Sequence, residues 1–115
     1  MNLIEATKEL GFPYHIGRGR SHDSFYTDRE DEIDHYWAGK GILCADMETA
    51  ALFTIGGLRG VKTASILNTV SLYEGNLEEE INNYVDAENA AAIGEEHEIL
   101  AALETIVRLD KKEAK

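Results

Sequence analysis

Ile42-Leu43-Cys44-Ala45-Asp46 is a short apolar run ending in a carboxylate, and Met47-Glu48-Thr49-Ala50-Ala51 continues it with helical spacing. The first five residues predict a strand. Met47, Ala51, Ile55 and Leu58 then fall three or four apart and predict one buried face of a helix over 47–59. Gly56, Gly57 and Gly60 weaken that helix and end it. A strand-to-helix junction leaves free backbone N–H groups beside Asp46 and Glu48, and such groups stabilise an ionised carboxylate. An ionised carboxylate accepts hydrogen bonds strongly, and a vicinal diol can donate two at once. Two readings stay open for each acid. Asp46 is a helix cap or a ligand-facing group. Glu48 is an ordinary first-turn acid or the carboxylate that holds a small polyhydroxylated ligand.

The segments on either side set the architecture. Residues 3–10, with Ile4 and Leu10 apolar and Gly11 as a stop, predict a helix. Phe12, Tyr14 and Ile16 alternate and predict a strand over 12–17. Residues 17–21 read as a loop or an irregular continuation of that strand, and 30–39 as a short polar helix carrying Tyr36 and Trp37. Beyond Gly60, Ala64, Ile66 and Val70 predict a strand over 61–70 that is covered on both faces. A last helix is expected over 86–112, capped by Asp86 and striped by Ile93, Leu100, Leu103 and Val107. Strands alternating with helices imply an α/β fold with a mostly parallel sheet. Ligands gather at the carboxyl ends of such strands, and Cys44–Glu48 is one such end.

Composition narrows the function classes. The chain has 115 residues, 43% of them hydrophobic, enough for a small core. Acidic residues number 22 against 11 basic, a net charge of -11, which argues against a nucleic-acid or anionic-membrane surface. The acids concentrate late, at Glu78 to Glu80, Glu95, Glu96 and Glu98, as a solvated helix face would. No apolar run approaches the ~20 residues that span a bilayer. Cys44 is the one cysteine, set in an apolar stretch, so a buried structural thiol in a reduced, cytoplasmic setting is expected.

Three further groups carry weaker signals. His22-Asp23-Ser24-Phe25-Tyr26 sets polar groups beside two aromatics, which suits either the stacking of a planar ring or a packed pair on an Asx-turn. Gly17-Arg18-Gly19-Arg20 lacks the spacing of a phosphate loop, and a turn with two solvated arginines is the expectation. His15, His22, His35 and His97 have no metal-ligand spacing, so no metal is expected.

Asp23-Ser24-Phe25-Tyr26, followed downstream by Gly41-Ile42-Leu43-Cys44-Ala45-Asp46-Met47-Glu48-Thr49-Ala50-Ala51, resembles the nucleoside phosphorylase family. The uridine phosphorylases and the related bacterial purine nucleoside phosphorylases are the branches it is most similar to. The family pattern is D-x-F-Y, then G-[IV]-x-x-x-E-M-E-[SA]-A, then a buried strand. The resemblance implies a partial three-layer α/β/α sandwich, the C-terminal half of the phosphorylase fold, with residues 1–115 as a single partial domain. It implies a cytoplasmic pentosyltransferase of nucleoside salvage that cleaves a nucleoside with phosphate to free base and ribose 1-phosphate. Phosphate is then a co-substrate and no cofactor is implied.

Residue by residue, Glu48 matches the carboxylate that grips the ribose 2′- and 3′-hydroxyls. Met47 matches the side chain that packs on the sugar, and Phe25 the ring that stacks on the base. Asp46 stands in a lining position where the family usually has Glu. Arg29 falls where the uridine enzymes read uracil with Gln, and Asp31 where they use Arg, so uracil recognition is not matched. Thr69-Val70-Ser71 is followed by Leu72, where the purine enzymes have an acid for the leaving base, so no catalytic residue is assigned. The family's N-terminal half, with its Gly-rich phosphate loop and phosphate-binding arginines, has no match. The expectation is a truncated or split chain, inactive alone, that forms a homo-oligomer or pairs with a complementary N-terminal half. A non-catalytic remnant that binds nucleosides or pairs with a complete subunit is the alternative.

Overall fold

The computed structural model describes residues 1–70 and 88–114. In chain order these form α1 (Asn2–Leu10), β1 (Arg18–Ser21), α2 (Glu30–Gly39), β2 (Ile42–Asp46), α3 (Thr49–Arg59) and α4 (Glu88–Glu113). The chain divides into two compact units. One is His15–Ser65, and the other joins Met1–Tyr14 to the described residues from Ile66 onward.

In the unit His15–Ser65, β1 and β2 pair in parallel, with Arg18 opposite Ile42, Gly19 opposite Cys44, Arg20 opposite Ala45 and Ser21 opposite Asp46. The register shifts between Arg18 and Gly19. His22 N–H adds one more ladder bond, to Asp46 O at 3.0 Å. Helix α2 packs on β2 and is tied to β1 by Arg20 Nη2, 3.1 Å from Asp34 Oδ1. Arg20 is therefore a partly buried ion-pair partner, not the solvated loop arginine expected. Helix α3 ends in a Schellman turn. Gly60 takes φ 67°, its N–H reaches Gly57 O at 3.3 Å, and Val61 N–H reaches Gly56 O at 2.9 Å.

The boundaries of α2 and β2 match the expectation, but two predicted strands are absent. Residues 12–17 have no regular structure, and the strand begins at Arg18. Pro13 has no N–H for a ladder, and Phe12 instead stacks face to face on His97 at 3.8 Å. Residues 61–70 are also irregular. Their side chains serve α3 instead: Ser65 Oγ lies 3.2 Å from Thr49 Oγ1, and Thr63 rests against Gly56. The sheet of the described residues is thus a parallel pair, α/β in character, and two strands do not make the layered sandwich expected.

In the other unit, α1 and α4 run antiparallel, with Asn2 beside Lys112 and Phe12 beside His97. They meet through small residues. Ala6 and Ala101 are fully buried, and Thr7 and Thr105 nearly so. Each threonine hydroxyl is satisfied within its own helix, Thr7 by Leu3 O at 2.8 Å and Thr105 by Ala101 O at 2.7 Å. Arg108 fastens the rim by donating to Glu9 at 2.6 Å and to Glu104 at 2.9 Å. The hydrogen bond from Arg108, and then its charge, hold the Glu9 carboxyl below its ordinary pKa.

The predicted apolar stripes point elsewhere. Ile93, Leu100, Leu103 and Val107 of α4 are exposed, and so are Met47, Ala51, Ile55 and Leu58, the last by 81%. Cys44 is exposed rather than buried. The cause is shared: among the described residues, no layer covers these faces. Glu95 and Glu96 are solvated as expected and Glu98 is half-buried, whereas Asp86 and Glu78 to Glu80 lie outside the described residues. No helix among the described residues is long and apolar enough to cross a membrane.

Candidate functional site

Parallel pairing sends the carboxyl ends of β1 and β2 to the same edge of the sheet, with Ser21 level with Asp46. From β1 emerges the loop that carries Phe25, Tyr26 and Arg29. From β2 emerges the turn Met47–Glu48, which opens α3.

That turn is held by side-chain oxygens. Asp46 Oδ1 accepts the Glu48 N–H at 2.9 Å, the Thr49 N–H at 2.7 Å and the Ser21 hydroxyl at 3.0 Å. Ser21 Oγ in turn accepts the Ala50 N–H at 3.0 Å, and Glu48 Oε2 accepts the Met47 N–H at 3.1 Å. Four consecutive N–H groups, 47 to 50, thus meet oxygens of the chain itself. Burial pushes the Asp46 carboxyl up, but hydrogen bonds from Thr49, Ser21 and Glu48 outweigh it and hold its pKa below the ordinary value. Asp46 therefore satisfies two N–H groups at the start of α3 in a cap-like way, while Glu48 is the N-cap residue itself. These donors are occupied, so the start of α3 is not an open anion cradle.

The other predicted residues are mostly exposed. Met47 and Glu48 sit together in the turn, both solvent-facing. Phe25 is 67% exposed and meets Tyr26 edge-on, with ring centroids 5.1 Å apart. Their loop is shaped locally: His22 Nδ1 pairs with Ser24 O at 3.0 Å, and Ser24 Oγ donates to Tyr26 O at 3.4 Å. Arg29 is turned away into a fork with Glu32, Nε to Oε2 at 3.0 Å and Nη2 to Oε1 at 2.8 Å. A surface groove of about 400 Å³ on α2 is lined by Arg29, Glu32, Ile33, His35, Tyr36 and Trp37, and by none of Asp46, Met47 or Glu48. Among the described residues, no three His, Cys, Asp or Glu side chains group as a metal site.

Ser21, Thr49 and Ser65 carry no role that the sequence alone discloses. Thr49 stands three residues after Asp46 but is not the Glu or Gln of a capping box, so its spacing gives no signal. Ser21 becomes visible only once the parallel register is known, and Ser65 has no local signature.

A model of the phosphorylase superfamily matches residues 1–104. The chain belongs to the phosphorylase superfamily. Its superfamily relatives include three DeoD-type purine nucleoside phosphorylases. That of Clostridium novyi (strain NT) is 41% identical over 64 residues, 56% of this chain and 27% of the relative. That of Bacillus subtilis (strain 168) is 40% identical over 70 residues, 61% and 29%. That of Geobacillus sp. (strain WCH70) is 40% identical over 67 residues, 58% and 27%. The match therefore spans less than a third of the length of these curated relatives. All three relatives are named for purine nucleosides, and none for uridine. No solved structure matches the chain significantly.

Proposed function

We propose that this chain carries the nucleoside-holding part of a purine nucleoside phosphorylase. The observation that carries the reading is the parallel register: Ser21 level with Asp46 brings the Phe25 loop and the Met47–Glu48 turn to one sheet edge. Glu48 accepts hydrogen bonds from the ribose 2′- and 3′-hydroxyls, Met47 packs against the sugar, and Phe25 stacks on the base. Arg29 joins the base contacts by exchanging its Glu32 fork for the ligand. Phosphorolysis passes through a transition state with oxocarbenium character at the anomeric carbon. Fixing the ribose hydroxyls aligns that carbon with phosphate, which is the co-substrate of this family; no cofactor is needed.

The phosphate contacts come from outside residues 1–115, from the rest of a longer chain or from a complementary chain. The exposed aliphatic faces of α3 and α4 favour such pairing, because a parallel sheet of two strands is stable only when covered. The same faces support the alternative of a non-catalytic, subunit-pairing remnant.

Titration calorimetry with inosine and uridine tests the proposal. Expected is inosine binding that Glu48→Ala weakens strongly, with no phosphate-dependent release of base by residues 1–115 alone. Inosine binding unaffected by Glu48→Ala would remove the ribose role.

A further inference from the structure

The four oxygen-bound N–H groups of the Met47–Ala50 turn do more than cap α3. Asp46 Oδ1 accepts the N–H of Glu48 and the N–H of Thr49, which are the peptide groups on either side of the Glu48 α-carbon. One carboxylate oxygen thus fixes both flanks of that residue, at φ -116° and ψ -29°. The direction of its Cα–Cβ bond follows from those two angles. The oxygen is itself held by the Ser21 hydroxyl, which stands on the neighbouring strand and also binds the Ala50 N–H. Ser21 is partly buried, and so is Asp46, which limits replacement of these bonds by water. Aspartate is well shaped for this position, because its short side chain folds back onto the N–H groups two and three residues on, as in an Asx-turn.

We infer that Ser21 and Asp46 are positioning residues that fix the backbone from which the Glu48 carboxylate extends, so that recognition of a ribose diol depends on a hydroxyl in a different strand. The inference rests on the proposed ribose role of Glu48. Asp46 does not contact the sugar; its effect passes through the backbone of Glu48. Ser21 acts one step further back, by fixing Asp46 Oδ1.

Calorimetry with two ligands, inosine and 2′,3′-dideoxyinosine, on the full chain separates this role from a merely structural one. The second ligand keeps the base and lacks the diol. Expected for Ser21→Ala is inosine affinity weaker by roughly five-fold, the loss of about one hydrogen bond, with dideoxyinosine affinity unchanged. Ser21→Thr restores the hydroxyl and the inosine affinity. In a Glu48→Gln background, Ser21→Ala has less effect than in the parent. Equal losses for both ligands, or inosine affinity untouched by Ser21→Ala, overturn the positioning role while the parent's preference for inosine stands. If the parent binds both ligands equally, or Glu48→Gln changes nothing, the ribose role of Glu48 itself fails and the positioning role falls with it. Far-UV circular dichroism of each variant checks that it is folded; should Ser21→Ala not fold, Ser21→Cys, nearly isosteric and a much weaker hydrogen-bonding group, must show the same selective loss of inosine affinity, and an unchanged affinity overturns the positioning role.

Discussion

Replacing Asp46 by alanine removes the acceptor of three hydrogen bonds at 2.7, 2.9 and 3.0 Å. Two of them satisfy helix-start N–H groups, and losing such a cap costs ~1 kcal/mol. The third joins β1 to β2, and its loss costs ~1 kcal/mol when the partner is left partly buried. Together they place Asp46→Ala about 2 kcal/mol below the parent, since water reaches the half-buried site only in part. For a chain of this size that corresponds to a fall of roughly 10 °C in the unfolding midpoint. Asp46→Asn keeps an oxygen in the capping position and is expected to lose less than half as much, because Asn caps as well as Asp. The pH dependence separates the two variants from the parent. The folded-state pKa of Asp46 is depressed, so its contribution is complete above the unfolded-state value and is lost as pH falls through the folded-state one. The parent should lose this increment below about pH 4, and both variants should lack that part of the acid slope. Thermal unfolding followed by circular dichroism at a series of pH values measures all three. An Asp46→Ala protein within about 0.5 kcal/mol of the parent would refute the reasoning, since a change that small belongs to a surface substitution without a role.

Gly60→Ala forces a side chain into a φ of 67° and should destabilise by about 1 kcal/mol in urea unfolding, although nothing crowds the site. Ala101→Leu inserts bulk where α1 and α4 meet through fully buried alanines; a loss of about 1–3 kcal/mol is expected, and Ala101→Ser should cost less. Glu32→Ala frees the Arg29 guanidinium, and tighter inosine binding by calorimetry is expected if Arg29 reaches the base; unchanged affinity removes it from the base site.

What the sequence disclosed depended on how local the cause was. The bounds of α2 and β2, and the stop at Gly60, follow from turn glycines and from an apolar run between polar neighbours, and these were legible. The start of α3 slipped from Met47 to Thr49 because Asp46 holds the N–H groups of 48 and 49, which a periodicity count does not see. Alternation at Phe12, Tyr14 and Ile16 failed as a strand signal because a strand needs a ladder partner, and Pro13 lacks the donor. The stripes through Ile55 and Leu58 and through Leu100 and Leu103 were real patterns with their burial misread. Periodicity reports a face suited to burial, and the covering layer is not among the described residues. At the candidate site, paired motifs are what single out Glu48 and Phe25, whose ribose and base roles belong to the proposal. Ser21 was not legible, because its partner stands 25 positions away and only the register brings them level.

That register also decides where the chain tolerates a change in length. The loop from His22 to Arg29 is exposed over most of its length and joined mainly to itself, so residues added there extend a connection without moving either strand. One residue inserted between Gly19 and Ser21 has a different outcome. It carries the serine to the opposite face of a strand whose side chains alternate, and Asp46 then meets whatever neighbour takes its place. Insertions and deletions should therefore disturb the pairing of β1 with β2 least on the loop side of Ser21 and most on the strand side.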